Sequence, residues 1–379
     1  MKQTKLIDFG KRSSLKVHPV SIGAMRLPEG QEQAIALLRQ AIDSGMTYID
    51  TSRGYADSEI KVGKALKDGY REKVILSTKC SPWIKKVEPD DDSSANCTYK
   101  RIIESMERMD TDYLDFYQIW NIDSFEHYQL AVAKGGMLDG IRRAMDEGLV
   151  GHTGFTTHDS PRNIRRYINE ADWCETILFT YNILNQQYAD TITMAHEKGI
   201  ATVVMNPIGG GMLAEDSPVI MSAVSAALGT EDVTEVAHRY LAGNENIDTI
   251  LCGISKPSDI ISTLENYQKP PLTKEEIEKL EKATQKISSK NMGFCTGCKY
   301  CMPCPQDIDI PSMMMVSYLV NMLQVPRKAK DNYNWNINEA NPEKSAVTSS
   351  CIECGQCEQK CTQHLKIIQE IKRVREQFE

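Results

Sequence analysis

The chain has 379 residues, with 44 Lys and Arg against 52 Asp and Glu, for a formal net charge of -8. That length accommodates one large domain with a sizeable core and a smaller one beside it. The acidic balance, without a long basic run, argues against nucleic acid as a partner. The opening MKQTKLIDFGKRSSLKVHPV has no apolar stretch of signal-peptide length, and MMMVSYLVNML is too short to span a bilayer. No membrane insertion and a cytoplasmic location are therefore expected.

In chain order, short β-branched or apolar runs alternate with amphipathic helical patterns. The expected strands are VSIGAMRL, TYIDTS, KVILSTKC, LDFYQIW, VGHTGFTT, ETILFTYN, ATVVMNPI and DTILCGIS. Each is trailed by a helical segment, from QAIALLRQAIDSG to VTEVAHRYLAG. Eight near-continuous apolar strands in βα alternation predict an α/β fold, a parallel (β/α)8 TIM barrel with its helices outside. A doubly wound open sheet is the runner-up, but the first βα turn lacks the GxGxxG of a dinucleotide fingerprint. SKPSDIISTLENY and TKEEIEKLEKATQKI read as closing helices, and composition changes after them. The expected division is a barrel over residues 1–287 and a smaller, mostly helical, ferredoxin-like domain over 288–379. In the latter, a helix starts near Pro311 and Ser312, and KAKDNYNWNINEANPEKS reads as a surface loop or linker.

Eight of the twelve cysteines fall between residues 295 and 361. CTGCKYCMPCP holds Cys295, Cys298, Cys301 and Cys304; CIECGQCEQKC holds Cys351, Cys354, Cys357 and Cys361. A 4Fe-4S cluster takes three thiolates from one C-x2-C-x2-C turn and a fourth from elsewhere, and in two-cluster ferredoxins that fourth belongs to the other motif. The expected sets are Cys295, Cys298, Cys301 with Cys361, and Cys351, Cys354, Cys357 with Cys304. A pair of zinc sites is the alternative. Cys80, Cys97, Cys174 and Cys252 lack partner spacing, and most of them read as buried structural thiols.

In a βα barrel the chemistry sits at the C-terminal ends of the strands. YIDTSRGYADSE puts Asp50 at the tip of the second strand and Tyr55 in the loop after it; STKC puts Lys79 at the tip of the third. Adjacent strands lie about 4.8 Å apart, close enough for a carboxylate and an ammonium to pair. A nearby ammonium stabilises phenolate and is expected to lower the Tyr55 pKa, making the phenol a usable proton donor. The bland alternative is a structural ion pair beside an unrelated loop tyrosine.

YIDTSRGYADSEIKVGKAL, VILSTKC, YLDFYQIW and VVMNPIGGGML together resemble the aldo-keto reductase family over residues 1–287. The cysteine tail is similar to that of the bacterial and archaeal branch with a ferredoxin-like C-terminal domain. The resemblance implies a (β/α)8 barrel, NADP(H) lying extended across its mouth, and carbonyl reduction by hydride transfer with tyrosine as the acid. Asp50, Tyr55 and Lys79 match three members of the catalytic tetrad. The fourth, a histidine in a motif like YLDLYLIHW, aligns with Trp120. Indole has one N–H donor, no acceptor and a broad apolar face, so Trp120 is expected to narrow the pocket and favour a flat or apolar substrate. The alternative is a bulged register in which Asn121 points inward.

For the cofactor, the resemblance implies that Thr156 and His158 stand near the nicotinamide amide. Tyr181 and Asn182 follow Leu178 where the family has a glutamine. Asn206, Gly209, Gly210 and Gly211 are candidates for the pyrophosphate, and Ser255 and Lys256 for a 2′-phosphate. His152 and His158 fall on one face near the expected mouth, where ordinary structural roles stand ahead of a replacement polar contact, and Arg53 reads as shaping the Tyr55 loop, with contact to an anionic substrate as the alternative. Three functions remain open. The first is an NADP(H)-dependent reductase of a small molecule's carbonyl or activated double bond. Hydride carries two electrons and each cluster one, so a flavin, a radical step or stepwise reduction would have to connect them. The second is a reductase fed through its clusters by a ferredoxin-like or flavin-containing partner without nicotinamide. The third is a non-enzymatic redox carrier or sensor.

Overall fold

A computed structural model describes residues 5–83, 90–289, 295, 301–337, 346–361 and 365–379. The chain forms two compact units, residues 1–210 with 237–272, and residues 211–236 with 273–379.

In the first unit, strands β1 (Val20–Gly23), β2 (Tyr48–Asp50), β3 (Ile75–Cys80), β4 (Leu114–Ile122), β5 (Val150–Thr157), β6 (Thr176–Thr180), β7 (Ala201–Met205) and β8 (Thr249–Gly253) pair in parallel, in sequence order. β8 pairs with both β7 and β1, which closes the barrel and excludes the open sheet. Between the strands run α1 (Gln31–Asp43), α2 (Ser58–Ala65), α3 (Ala95–Met109), α4 (Phe125–Val132), α5 (Met137–Asp146), α6 (Pro161–Glu170) and α7 (Ala189–Glu197). The expected strands are all present, most of them shorter at their loop ends, as where VSIGAMRL stops at Gly23 and Ala24–Arg26 is a 3-10 turn; VGHTGFTT is met in full, and LDFYQIW runs on to Ile122.

The barrel interior is layered. An antiparallel ribbon, Ile7–Asp8 with Lys16–Val17, delivers Phe9 and Val17 into a cluster with Tyr48, Ile75, Phe116, Leu178, Val203 and Leu251. This apolar plug lies at the strands' N-terminal end, with the Phe9 ring 5.3 Å from Tyr48 and 5.5 Å from Phe116. Above it Gln118 Nε2 donates to Tyr48 Oη at 3.1 Å and Ser77 Oγ at 2.7 Å. Because strand side chains alternate, the residues two further on from Tyr48, Ser77 and Gln118 form the next inward layer. They are Asp50, Lys79 and Trp120, delivered together to the C-terminal mouth.

The second unit contains α8 (Pro218–Leu228), α11 (Lys274–Ser289), α12 (Ile310–Asn321), α13 (Pro326–Ile337), α14 (Gln356–Lys360) and α15 (Ile367–Phe378). Two further helices, α9 (Val233–Ala242) and α10 (Pro257–Gln268), complete the chain's set; α9 crosses the division and α10 belongs to the first unit. α8 packs on α11, and α12 on α13 and α15, with buried Met313, Val316 and Leu319 at helical spacing, as are Ile367, Ile371 and Val374. Ser217 Oγ, at the N-cap of α8, donates to Leu323 O at 2.5 Å. The stretch expected as a loop is corrected: its residues 328–337 belong to α13, while 338–345 lie outside the described residues. Its helical face is sparse, only Ala329 and Tyr333 at i, i+4, but Tyr333 stacks on Phe378 at 5.1 Å and donates to Glu379 at 2.6 Å. Among the described residues no helix is long and apolar enough to cross a membrane.

Candidate active site and cluster cysteines

Asp50 ends β2 opposite Ser77 of β3, so Lys79, two residues further on, reaches back to it. Lys79 Nζ lies 2.5 Å from Asp50 Oδ2 and donates to Thr51 O at 2.8 Å. Both side chains are buried, and Asp50 Oδ1 has no hydrogen-bond partner among the described residues. The loop carrying Tyr55 is pinned where Tyr55 N–H donates to Ser52 O and Ser58 Oγ–H donates to Ala24 O at 2.7 Å. This places Lys79 Nζ 5.0 Å from the centre of the Tyr55 ring.

Electrostatics here departs from the sequence expectation. Burial is the largest influence on Tyr55 and pushes its phenol up; Lys79 opposes it and Asp50 adds to it, leaving the pKa above the usual value. Enclosure deep enough to bring the ammonium close also strips water from a phenolate, and Asp50 already answers most of the Lys79 charge. Tyr55 is therefore a neutral hydroxyl donor at physiological pH. For Lys79, burial acts downward, yet Asp50 and Tyr55 carry the ammonium above its ordinary value. Burial raises Asp50 against the pull of Lys79.

Trp120 meets Tyr55 edge to face, with ring centres 5.5 Å apart at 81°. The inward reading of Trp120 is thus met, although the bulge attached to the alternative is present as well: pairing of β4 with β5 shifts between Ile119 and Ile122, and Asn121 takes φ 61°. Trp83, which the motifs did not single out, donates through Nε1 to Trp120 O at 3.0 Å and Asn121 O at 2.7 Å.

The expected cofactor residues are only partly brought together for binding. Thr156 Oγ1 accepts from Asn121 N–H at 2.8 Å. His158 lies exposed just past β5, its Nδ1 3.4 Å from Thr180 Oγ1. His152 is not at the mouth: it sits level with Phe116 in the plug layer, stacks on it at 5.0 Å and pairs with Glu175 at 2.8 Å. Leu178 belongs to the same plug. Tyr181 is buried, its hydroxyl 2.6 Å from that of Tyr240, and Asn182 Nδ2 donates to Asn206 O at 3.0 Å.

Asn206, Gly209, Gly210 and Gly211 take φ of 55°, 59°, 65° and 96°, a left-handed run that glycine adopts without a Cβ penalty. Arg26, overlooked in the sequence, donates to Gly210 O at 2.6 Å and brings a cation to this turn. Arg53 pairs with Glu104 at 3.0 Å, which accords with the reading of it as a residue that shapes the loop; a distant acidic partner is invisible to local motif reading. Ser255 N–H, Ser255 Oγ–H and Lys256 N–H all donate to Asp259 Oδ2, at 2.8, 2.8 and 3.0 Å. The Ser255 hydroxyl and the two backbone N–H groups at the candidate 2′-phosphate position thus already hold an internal carboxylate.

In the second unit, one cavity is lined by Cys301, Cys304, Cys351, Cys354 and Cys357, with Ile308, Ile310, Ile352, Ile368 and Ile371 as apolar wall. Cys304 lies beside the second motif, and so does Cys301 of the other expected set, so the lining does not by itself assign the fourth thiolate. Among the described residues no group of three or more His, Cys, Asp or Glu side chains is placed to hold a metal ion. Soft thiolates around a partly apolar cavity fit a 4Fe-4S cluster. Of the other set, Cys301 is buried, Cys295 and Cys361 are partly exposed, and Cys298 lies outside the described residues. Cys80, Cys174 and Cys252 are buried in the barrel unit, with burial pushing Cys80 to about 12 and Cys252 to about 11; Cys97 is half-buried. They are inert structural thiols.

A closed (β/α)8 barrel with tyrosine, lysine and aspartate at its mouth, joined to a cysteine-rich unit, defines an oxidoreductase with an iron-sulfur domain. Residues 19–285 match the Aldo/keto reductase family, and the chain belongs to it. Residues 294–366 match the 4Fe-4S dicluster domain. The chain is 26% identical over 315 residues to L-galactose dehydrogenase of Arabidopsis thaliana, spanning 75% of this chain and 95% of that protein. It is 24% identical over 311 residues to the oxidoreductase YqkF of Bacillus subtilis, spanning 72% and 94%. The holo form of aldo-keto reductase AKR11C1 from Bacillus halodurans shares the fold with a TM-score of 0.64 at 23% identity, over 74% of this chain and 96% of that one.

Proposed function

We propose that this chain reduces a carbonyl or activated double bond of a small organic molecule, with Tyr55 as proton donor and NADP(H) as the first candidate hydride source. The observation that carries the reading is the buried Asp50–Lys79 pair behind Tyr55 at a barrel mouth. A substrate oxygen or carbon gaining negative charge beside Tyr55 receives the phenol proton, and Lys79 then stabilises the phenolate left behind. Trp120 supplies no second donor comparable to imidazole; it excludes water and presents an apolar edge to the substrate. The likeness to a protein named as an L-galactose dehydrogenase supports carbonyl and alcohol chemistry.

Thr156, His158, Tyr181, Asn206, Gly209, Gly210, Gly211, Ser255 and Lys256 are the proposed cofactor contacts, and the nicotinamide, when bound, supplies hydride. The proposed functional division between a catalytic barrel and a domain holding two 4Fe-4S clusters, in the crossed sets given above, is at 287/288, within α11, whereas the compact units already divide at residue 272. The clusters pass single electrons, and a flavin is one converter between the two currencies. A second reading, electrons arriving through the clusters from a ferredoxin-like or flavin-containing partner, is favoured by one observation: Asp259 already occupies the Ser255 hydroxyl and the Ser255 and Lys256 backbone N–H groups and sets a negative charge at the candidate phosphate position.

The test is an anaerobic titration of cluster-loaded protein with NADPH or NADH and then dithionite, following nicotinamide fluorescence and cluster absorbance together. Binding with bleaching joins hydride and cluster chemistry. Binding without bleaching leaves a barrel reductase whose clusters work separately. No binding of either nucleotide, with bleaching by dithionite, replaces the nicotinamide reading by the cluster-fed one.

A further inference from the structure

Strand β4 carries one residue more than its neighbour can pair. Ile119 lies opposite Phe155 and Ile122 opposite Thr157, so three steps along β4 match two along β5. A bulge of this kind takes backbone groups out of the ladder and re-aims a side chain. The Trp120 and Asn121 carbonyls both accept from one donor, Trp83 Nε1, at 3.0 and 2.7 Å. From the β5 side, Thr156 Oγ1 accepts the Asn121 N–H at 2.8 Å, and Thr157 Oγ1 donates to Ile122 O at 2.7 Å. Trp83 is itself fixed: it stacks on His127 at 4.3 Å and 6°, and His127 Nδ1 lies 2.7 Å from Asp123. What the bulge delivers is Trp120, edge-on to Tyr55.

We propose that Trp83 and Thr156 are positioning residues that clamp the β4 bulge from two sides and so hold Trp120 against Tyr55. Asn121 is a non-glycine residue at φ 61°, a conformation that persists where surrounding contacts over-determine it. With the clamp removed, residues 120–122 slide toward regular pairing, and a one-residue slip turns a strand side chain to the opposite face. The clamp thereby sets the width of the pocket beside the proton donor. Its consequence for substrates rests on the proposed reductase; the clamp itself does not.

The test uses the full chain labelled with 5-fluorotryptophan. The sequence has four tryptophans, Trp83, Trp120, Trp173 and Trp335, and a Trp120→Phe sample assigns the Trp120 fluorine resonance. Trp83→Phe keeps a ring to stack on His127 but removes the N–H; Thr156→Val keeps the shape and removes the acceptor. In each variant the Trp120 resonance is expected to shift and broaden while Trp173 and Trp335 stay in place. With 4-nitrobenzaldehyde as carbonyl probe, KM is expected to rise by up to about tenfold with a smaller change in kcat, the scale of losing one aromatic contact. If Trp83→Phe does not fold, Thr156→Val carries the test. A Trp120 resonance that stays unmoved in the folded variants overturns the clamp. If the wild-type chain fails to reduce the probe while the Trp120 resonance is displaced in both variants, the result supports the clamp and counts against the reductase reading alone.

Discussion

Asp50→Asn isolates the electrostatics of the mouth. Asn has nearly the same shape, so the substitution removes the charge and little else, leaving the Lys79 ammonium buried with Thr51 O at 2.8 Å as an uncharged acceptor. Breaking one side of a buried ion pair costs about 3–5 kcal/mol. Lys79 has one escape, giving up its proton, and from a free pKa of about 10.4 that costs about 4.6 kcal/mol at pH 7, so the loss has a ceiling near the same value. The check is urea unfolding at pH 7 followed by tryptophan fluorescence, since Trp83, Trp120 and Trp173 all lie in the first unit. The double variant Asp50→Asn/Lys79→Met removes the stranded charge and is expected to recover most of the loss. A single variant less than about 1 kcal/mol below wild type, or a double variant no better than the single, would refute the account of a buried, mutually dependent pair.

Two further outcomes follow from groups that sequence patterns did not mark. Asp248 is buried at the barrel's N-terminal side and pushed up to about 6, by burial first, with Thr202 and His196 opposing. A carboxyl with a folded pKa above its unfolded value favours the fold at low pH and loses that contribution as pH rises through about 6. Asp248→Asn, which keeps an acceptor for Thr202 N–H, is therefore expected to be more stable than wild type at pH 8 by up to about 3 kcal/mol and to match it near pH 4. Chemical unfolding across that range checks the sign, and a variant advantage that shrinks with rising pH contradicts it. Asp259→Ser frees the Ser255 and Lys256 donors and removes a negative charge from the candidate 2′-phosphate position. Its NADPH affinity should rise about tenfold or more by fluorescence titration while NADH changes little; an unchanged ratio would show that Asp259 does not face that phosphate.

Much of the architecture was legible because it is written in short-range pattern. Eight apolar segments alternating with amphipathic ones lead to a parallel barrel because a strand covered by helices on one side and core on the other reads as continuously apolar. Asp50 and Lys79 could be paired from the linear chain since strand tips of consecutive βα units are neighbours at a fixed spacing. The two cysteine motifs carry their chemistry in spacing alone. The part of the polar stretch before residue 338 illustrates the limit: α13 has a weak apolar stripe, and its helix depends on Tyr333 meeting Phe378 and Glu379, residues far along the chain.

The direction of the Tyr55 pKa was likewise outside the reach of the sequence. Its three residues name the charges involved, but the outcome depends on how much water the fold removes, and enclosure is a property of many segments at once. The same holds for Arg53 and Ser255, whose donors were legible but whose partners, Glu104 and Asp259, were chosen by helix placement and capping geometry. Trp120 combines both lessons. Sequence by itself determined that an indole stands where a histidine would, because side-chain identity is local. Only the tertiary structure decided where that indole points, because a bulge held by Trp83 and Thr156 exists only once β3, β4 and β5 lie side by side.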